Sequence, residues 1–152
     1  MNTNKSLFQV NEISIVYKNQ IPTDKKIKII SSRDIYNLMK PVFDDFMCHH
    51  EEMWLVLLNH ANCVIGISKI SQGGITETVV DPRIIFQVAL KANATGIILV
   101  HNHPSNNLDP SNPDKQITRK VVSSANLMDM KVLDHLIIAD GGYLSFADEG
   151  IL

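Results

Sequence analysis

The stretch Gly96-Ile97-Ile98-Leu99-Val100-His101-Asn102-His103-Pro104 decides how this chain is read. Its first five residues carry no polar side chain, which predicts a short strand buried on both faces inside an α/β sheet. The apolar character then stops, and two histidines follow at alternate positions. Along a strand, residues i and i+2 project from one face with a rise of about 3.3 Å per residue, so both imidazoles can address one ion. They stand where a rigid strand opens into a loop, which lets side chains leave the core while the backbone stays fixed. Eleven positions after His103 comes Asp114, near the expected start of a helix. Two imidazoles and a carboxylate make an N,N,O set that suits Zn²⁺ with a fourth position open to water, and an open position implies catalysis rather than a structural role. The same set also serves non-haem iron, and spacing does not choose between the metals. Ser111 and Asp114 are equally an S-x-x-D pair that any helix start can carry, so the spacing reads either as a metal site or as a helix cap.

Working outward, Asp81-Pro82 gives an N-cap and a proline at the first helical position, with Ile84, Ile85, Val88, Ala89 and Ala92 forming one apolar stripe. A helix beginning near Ser111 carries Ile117, Val121, Ala125 and Met128 on its buried face. Val132 to Ala139 reads as a strand, and Gly141-Gly142 turns the chain into a last one over Tyr143 to Phe146. Upstream, Trp54 to Leu58 and Cys63 to Ile70 form a hairpin through Asn59-His60-Ala61-Asn62, and their continuous hydrophobicity suggests burial on both faces. Helical spacing from Ile35 to Met47 predicts a helix capped by Ser32 and kinked or divided at Pro41. Ile13 to Tyr17 and Lys26 to Ile30 read as a peripheral hairpin. Strands and helices interleave, so the class is α/β, a mixed sheet covered by helices.

The chain has 152 residues, 45% of them hydrophobic and 20% charged, which is room for one domain and excludes wholesale disorder. Its net charge of −2 and pI near 6.3 make nucleic acid an unlikely default partner, because no basic stretch is denser than Lys25-Lys26-x-Lys28 or Arg119-Lys120. Cys48 and Cys63 are too few for a disulfide scaffold, and the start of the chain has no apolar run to act as a signal peptide, so the cytoplasm is the expected compartment. No apolar run approaches the ~20 residues of a membrane span.

His101-x-His103-Pro104, a Ser at 111 and an Asp at 114 resemble the JAMM motif of the MPN metallopeptidase superfamily: H-x-H-P, seven residues between the second His and a Ser, and two more before an Asp. HNHPS, DPRIIFQVALKANA and VLDHLIIADGGYLSFADEGIL are further similar to its RadC-like bacterial branch, over roughly residues 51–152. The resemblance implies a curved mixed β-sheet with helices on both sides, the deaminase-like three-layer αβα arrangement. It also implies residues 1–50 as an N-terminal extension of strand hairpin and helix packed on that unit. Many RadC-like proteins carry an additional helix-hairpin-helix segment associated with DNA, and the pattern ahead of Glu51 differs, so the expectation is the catalytic domain standing alone. By the resemblance, His101, His103 and Asp114 hold zinc, a glutamate just ahead of the first core strand is the general base, and Ser111 steadies a developing oxyanion. Glu51 takes the glutamate's place. Its neighbour Glu52 points to the opposite face if the strand has already begun, so only one of the two can face the metal. Met53 stands where relatives have Phe.

The activity implied is a zinc-dependent metallohydrolase, a peptidase or isopeptidase with a peptide or protein substrate. The alternative is a DNA repair-associated role on or with nucleic acid, which rests on the family's historical label. An inactive scaffold is the third option, and it sits least well with a motif that is filled at every position. Substrate specificity is expected in the loops at 71–80 and 104–110; oligomeric state is not legible. Other polar residues read as structural. Asn102 should point away from the ion into a strand-loop hydrogen bond, Ser105 should hold the loop or support a metal ligand from behind, and Asn106, where relatives have glycine, tolerates positive φ. His135 reads as a buried hydrogen-bonding histidine, His49, His50 and His60 as solvated surface, Trp54 as core, and both cysteines as free, partly buried thiols.

Overall fold

Among the residues that the structure describes, Gly96–Asn102 is the third of five strands and lies at the centre of their sheet. The computed structural model describes residues 22, 25–73 and 79–152. Among these, the elements in chain order are α1 (Ser32–Phe43), β1 (Glu52–Leu58), β2 (Val64–Gln72), α2 (Pro82–Lys91), β3 (Gly96–Asn102), α3 (Asn112–Asn126), β4 (Lys131–Ala139) and β5 (Gly142–Ser145). The sheet order is β2-β1-β3-β4-β5, with β3 and β4 parallel and every other pair antiparallel. This is the expected α/β class with a mixed sheet. All seven residues of β3 are buried, the apolar run 96–100 together with the polar His101 and Asn102.

Strand alternation divides the core into two layers. Met53, Leu55, Leu57, Ile97 and Leu99 face α2 and α3, where they meet Ile85, Ala89, Val121 and Ala125. Val56, Leu58, Ile98, Val100, Leu136 and Ile138 face α1, where Ile35, Met39 and Phe43 cover them. Helices therefore lie on both sides of the sheet, giving the three-layer αβα arrangement of an MPN-like fold. Among the described residues no helix is long and apolar enough to cross a membrane.

Several expectations need correction. The cap of α1 is Ser31, one residue earlier than Ser32, because Asp34 stands three residues after Ser31 and its Oδ2 accepts the Ser31 backbone N–H at 2.9 Å. α1 ends at Phe43, two residues past Pro41, so the helical spacing expected to reach Met47 is completed by successive turns that carry Met47 back to the core. Without an N–H, Pro41 cannot give the i→i−4 bond to the Asn37 carbonyl, and the helix stops two residues later. Among the described residues β2 lies at the edge of the sheet and is not doubly buried: Ile70 is its buried residue and Ile67 is 40% exposed. On α2, Phe86 is buried and Ile84 is 42% exposed, so the apolar stripe is rotated toward Phe86. Met128 lies beyond α3 and is 37% exposed. Lys28 forms an isolated antiparallel bridge with Cys63, beside the start of β2. Its expected partner, Ile13 to Tyr17, lies outside the described residues.

Candidate metal centre

The two histidines leave the end of β3 on the α3 side of the sheet. His101 is fully buried, paired across the sheet with Met53 of β1 and Ile137 of β4. His103 lies one residue past the strand, yet its N–H still bonds the Ile138 carbonyl at 2.9 Å, so the parallel ladder continues and strand spacing holds. Their Nε2 atoms approach to 3.0 Å. Asn102, between them, points to the other face. There its Oδ1 accepts the Glu52 N–H at 2.9 Å and its Nδ2 donates to the carbonyls of Met47 and His50, tying the exit of α1 to the sheet. The central ladder thereby holds both imidazoles in place.

Asp114 arrives from the other direction, at the third position of α3. Ser111 caps that helix: its Oγ accepts the Asp114 N–H at 3.2 Å and donates to Asp114 Oδ2 at 2.6 Å, while the Ser111 N–H bonds the same oxygen at 2.7 Å. The helix cap and a group that could hold a metal ion, which the spacing left as alternatives, are one arrangement. Oδ2 is held by the cap, and Oδ1 is turned to within 3.2 Å of His101 Nε2. Oδ2 also lies 3.5 Å from His103 Nε2. The donor atoms of His101, His103 and Asp114 all fall within 4.8 Å of one another, the metal-capable group of three among the described residues.

The charges of this group are mutually adjusted. Burial would raise the Asp114 pKa, but the two imidazoles beside it and the Ser111 hydroxyl outweigh it and hold the carboxyl well below its usual range. Burial pushes His101 down, and Asp114 only partly opposes it. For His103 burial also works downward, yet Asp114, the Asn107 carbonyl and the charge of Glu51 prevail and raise it. The donor set fits a divalent metal. The Asn107 carbonyl can only accept, so His103 Nδ1 carries its hydrogen there and Nε2 offers a lone pair. That lone pair, His101 Nε2 and a carboxylate converge in a largely buried space, where they repel unless a proton or a metal cation sits among them.

Beside the triad opens a cavity of about 280 Å³, its walls formed by Glu51, Met53, Val80, Asp114, Ile117 and Lys120 among others. Glu51 and Glu52 part company at the start of β1. Glu51 borders the cavity with Asp114, and its charge is felt by His103. Glu52 is 2% exposed on the α1 side, where it accepts from Trp54 Nε1 at 2.8 Å and meets His50 at 3.0 Å and Lys69 at 3.1 Å. Glu51 lies one residue ahead of β1, where its carbonyl still accepts the Gly73 N–H at 2.8 Å, and the two carboxylates part to different surroundings.

Among the lesser residues, Asn106 does adopt a positive φ of 62°, and its Oδ1 accepts the Asp140 N–H. Ser105 Oγ accepts the Asn107 N–H. His50 departs from the expected solvated surface: it stacks on Phe46 and bonds Glu52. His49 and His60 are exposed as expected, whereas Cys48 is exposed rather than partly buried. His135 is buried, bonded to Thr118 and to His101. Sequence reasoning missed Thr118. Its signal was a polar residue four positions after Asp114, on the helix face that continues through Val121 and Ala125.

Residues 29–151 match the family model of the RadC-like JAB domain. The chain is similar to a UPF0758 protein of Flavobacterium johnsoniae, 48% identical over 124 residues that make up 82% of this chain and 53% of that protein. A UPF0758 protein of Porphyromonas gingivalis is 43% identical over 129 residues, 84% of this chain and 56% of the relative. One from Salinibacter ruber is 35% identical over 135 residues, 89% and 57% of the two chains. The chain spans about half the length of the curated relatives it matches.

Proposed function

The chain belongs to the RadC-like JAB domain family, and on that premise we propose that it is a zinc-dependent hydrolase of amide bonds, acting on a peptide or isopeptide link. The observation that carries this reading is the convergence of His101, His103 and Asp114 beside a cavity that Glu51 also lines. These three residues would hold the ion. Zinc bound there would supply a Lewis acid for the scissile carbonyl and lower the pKa of water to about 7.

The remaining steps belong to the chain's own residues. Glu51 takes the proton of the attacking water and delivers it to the leaving amine, a shuttle worth about 10²–10⁴ in rate. The apolar walls, Met53, Val80 and Ile117, orient the substrate and exclude bulk water from the reacting carbonyl. Ser111 acts first as the cap that aims Asp114. To steady an oxyanion its hydroxyl must release Oδ2, which keeps the Ser111 backbone N–H as a donor. Adding zinc to metal-stripped protein should restore cleavage of a peptide library. Glu51→Gln should abolish cleavage with zinc content unchanged, and retained activity in that variant refutes the assigned base.

A further inference from the structure

We propose that His135 is a positioning residue which, anchored through Thr118 on the main chain of Asp114, keeps the ring proton of His101 on Nδ1 and so presents Nε2 to the metal as a lone pair. The inference rests on the metal reading of the triad and adds to it a role for two buried residues outside the ligand set.

The direction of the chain of hydrogen bonds follows from which atoms can donate. Thr118 Oγ lies 2.6 Å from the Asp114 carbonyl oxygen, one helical turn back. A carbonyl only accepts, so the single hydroxyl proton is committed to it. The same Oγ lies 2.6 Å from His135 Nδ1, and with its proton already used it can only accept; His135 therefore carries its hydrogen on Nδ1. A neutral imidazole has one N–H, which leaves His135 Nε2 as an acceptor. That atom is 2.8 Å from His101 Nδ1, so His101 donates from Nδ1 and its Nε2 is bare. Nε2 is the atom that faces Asp114 and His103.

Burial makes this chain hard to rearrange. His101 and His135 are fully buried and Thr118 is 1% exposed, so water cannot substitute for a lost partner. Phe146 stacks on the His135 ring at 4.6 Å between centroids and holds its plane. Reversing the chain would put a hydrogen on His101 Nε2, in the position a metal must take, and would strip Thr118's proton from the Asp114 carbonyl. The anchoring point gives the arrangement its consequence. Asp114 contributes its side chain to the triad and its carbonyl to the relay, so β3, β4 and the start of α3 are tied together around the triad. Orienting partners of metal-bound histidines of this kind are worth about 10–100-fold in metal affinity.

The test compares Thr118→Val, which removes the hydroxyl at nearly constant shape, with Thr118→Ser, which keeps it. Two measurements are made at fixed pH on protein with ¹⁵N-labelled histidine: imidazole ¹⁵N NMR, which reads which nitrogen of His101 is protonated, and a competition titration with zinc. The expected result is His101 protonated on Nδ1 in the unsubstituted protein. Thr118→Val should shift the hydrogen toward Nε2 and weaken zinc binding about 10–100-fold, and Thr118→Ser should restore both. Equal affinity and an unchanged tautomer in Thr118→Val overturn the inference while leaving the metal site intact. Failure of the unsubstituted protein to bind zinc overturns the functional reading instead. If the valine variant does not fold, a hydrogen on His101 Nε2 in the unsubstituted protein overturns the inference by itself.

Discussion

Replacing Ser111 by alanine separates two duties that the sequence motif merges. The hydroxyl accepts the Asp114 N–H at 3.2 Å and donates to Asp114 Oδ2 at 2.6 Å, so the substitution removes a helix cap and a hydrogen bond to a carboxylate. Loss of a serine cap costs about 1 kcal/mol. A hydrogen bond to a charged group is worth about 1.5–3 kcal/mol, and the lower end applies because Ser111 is exposed and Oδ2 keeps the backbone N–H at 2.7 Å. Water takes over part of both duties, leaving a loss of about 2 kcal/mol. For a chain of this size each kcal/mol lowers Tm by about 2–4 °C, so metal-free Ser111→Ala should melt about 4–8 °C lower by circular dichroism. Ser111→Gly should recover part of that loss, since glycine is tolerated at a cap. A Tm within about 1 °C of the unsubstituted protein would refute the cap as drawn. Activity distinguishes the second duty. If the hydroxyl also serves the oxyanion, kcat should fall about 10²–10³-fold at saturating zinc; an unchanged kcat would confine Ser111 to holding Asp114.

Three further outcomes follow from the same geometry. Glu52→Ala should cost about 2–3 kcal/mol in urea unfolding, because Trp54 Nε1 and His50 lose a buried acceptor, while zinc content stays at the unsubstituted level. Lost zinc with undiminished stability would place the wrong glutamate at the metal. His103 is raised, so in metal-free protein its protonated form adds stability that is fully present below about pH 6.5 and is lost as pH rises through the folded value. Zinc competes for that nitrogen, so affinity should climb with pH up to that value and then level off, with proton release seen by calorimetry in buffers of different ionisation heat. An affinity independent of pH between about 6 and 8 would contradict this. Finally, a net charge of −2 predicts no DNA retardation in a low-salt gel-shift, and a salt-sensitive shifted band would revive the nucleic-acid reading.

What the sequence reveals and what it hides divide along a physical line. Local chemistry was legible. The apolar run at Gly96–Val100 is the central strand, alternation puts His101 and His103 on one face with Asn102 on the other, and Asp81-Pro82 caps a helix. Tertiary context was not. The apolar residues of β2 gave no sign that the strand would lie at an edge, because edge position is set by which strands pair and not by composition. Ser31 displaced Ser32 as a cap through Asp34, a one-residue contest that propensity alone does not settle. The partnership of Thr118 and His135 depends on a helix and a strand meeting across 17 residues of chain, which no spacing rule encodes. Helix cap and candidate ligand do not exclude each other, for a simple reason: a carboxylate has two oxygens, and Asp114 turns Oδ2 to the cap and Oδ1 to His101.

The central claim is that His101, His103 and Asp114 form one metal-binding site. Its most direct test is the metal stoichiometry of the folded chain by native mass spectrometry after exposure to zinc, with His101→Ala alongside. One tightly held zinc per chain in the unsubstituted protein and none in His101→Ala is the result expected; no zinc in the former, or an equal amount in both, would contradict the account.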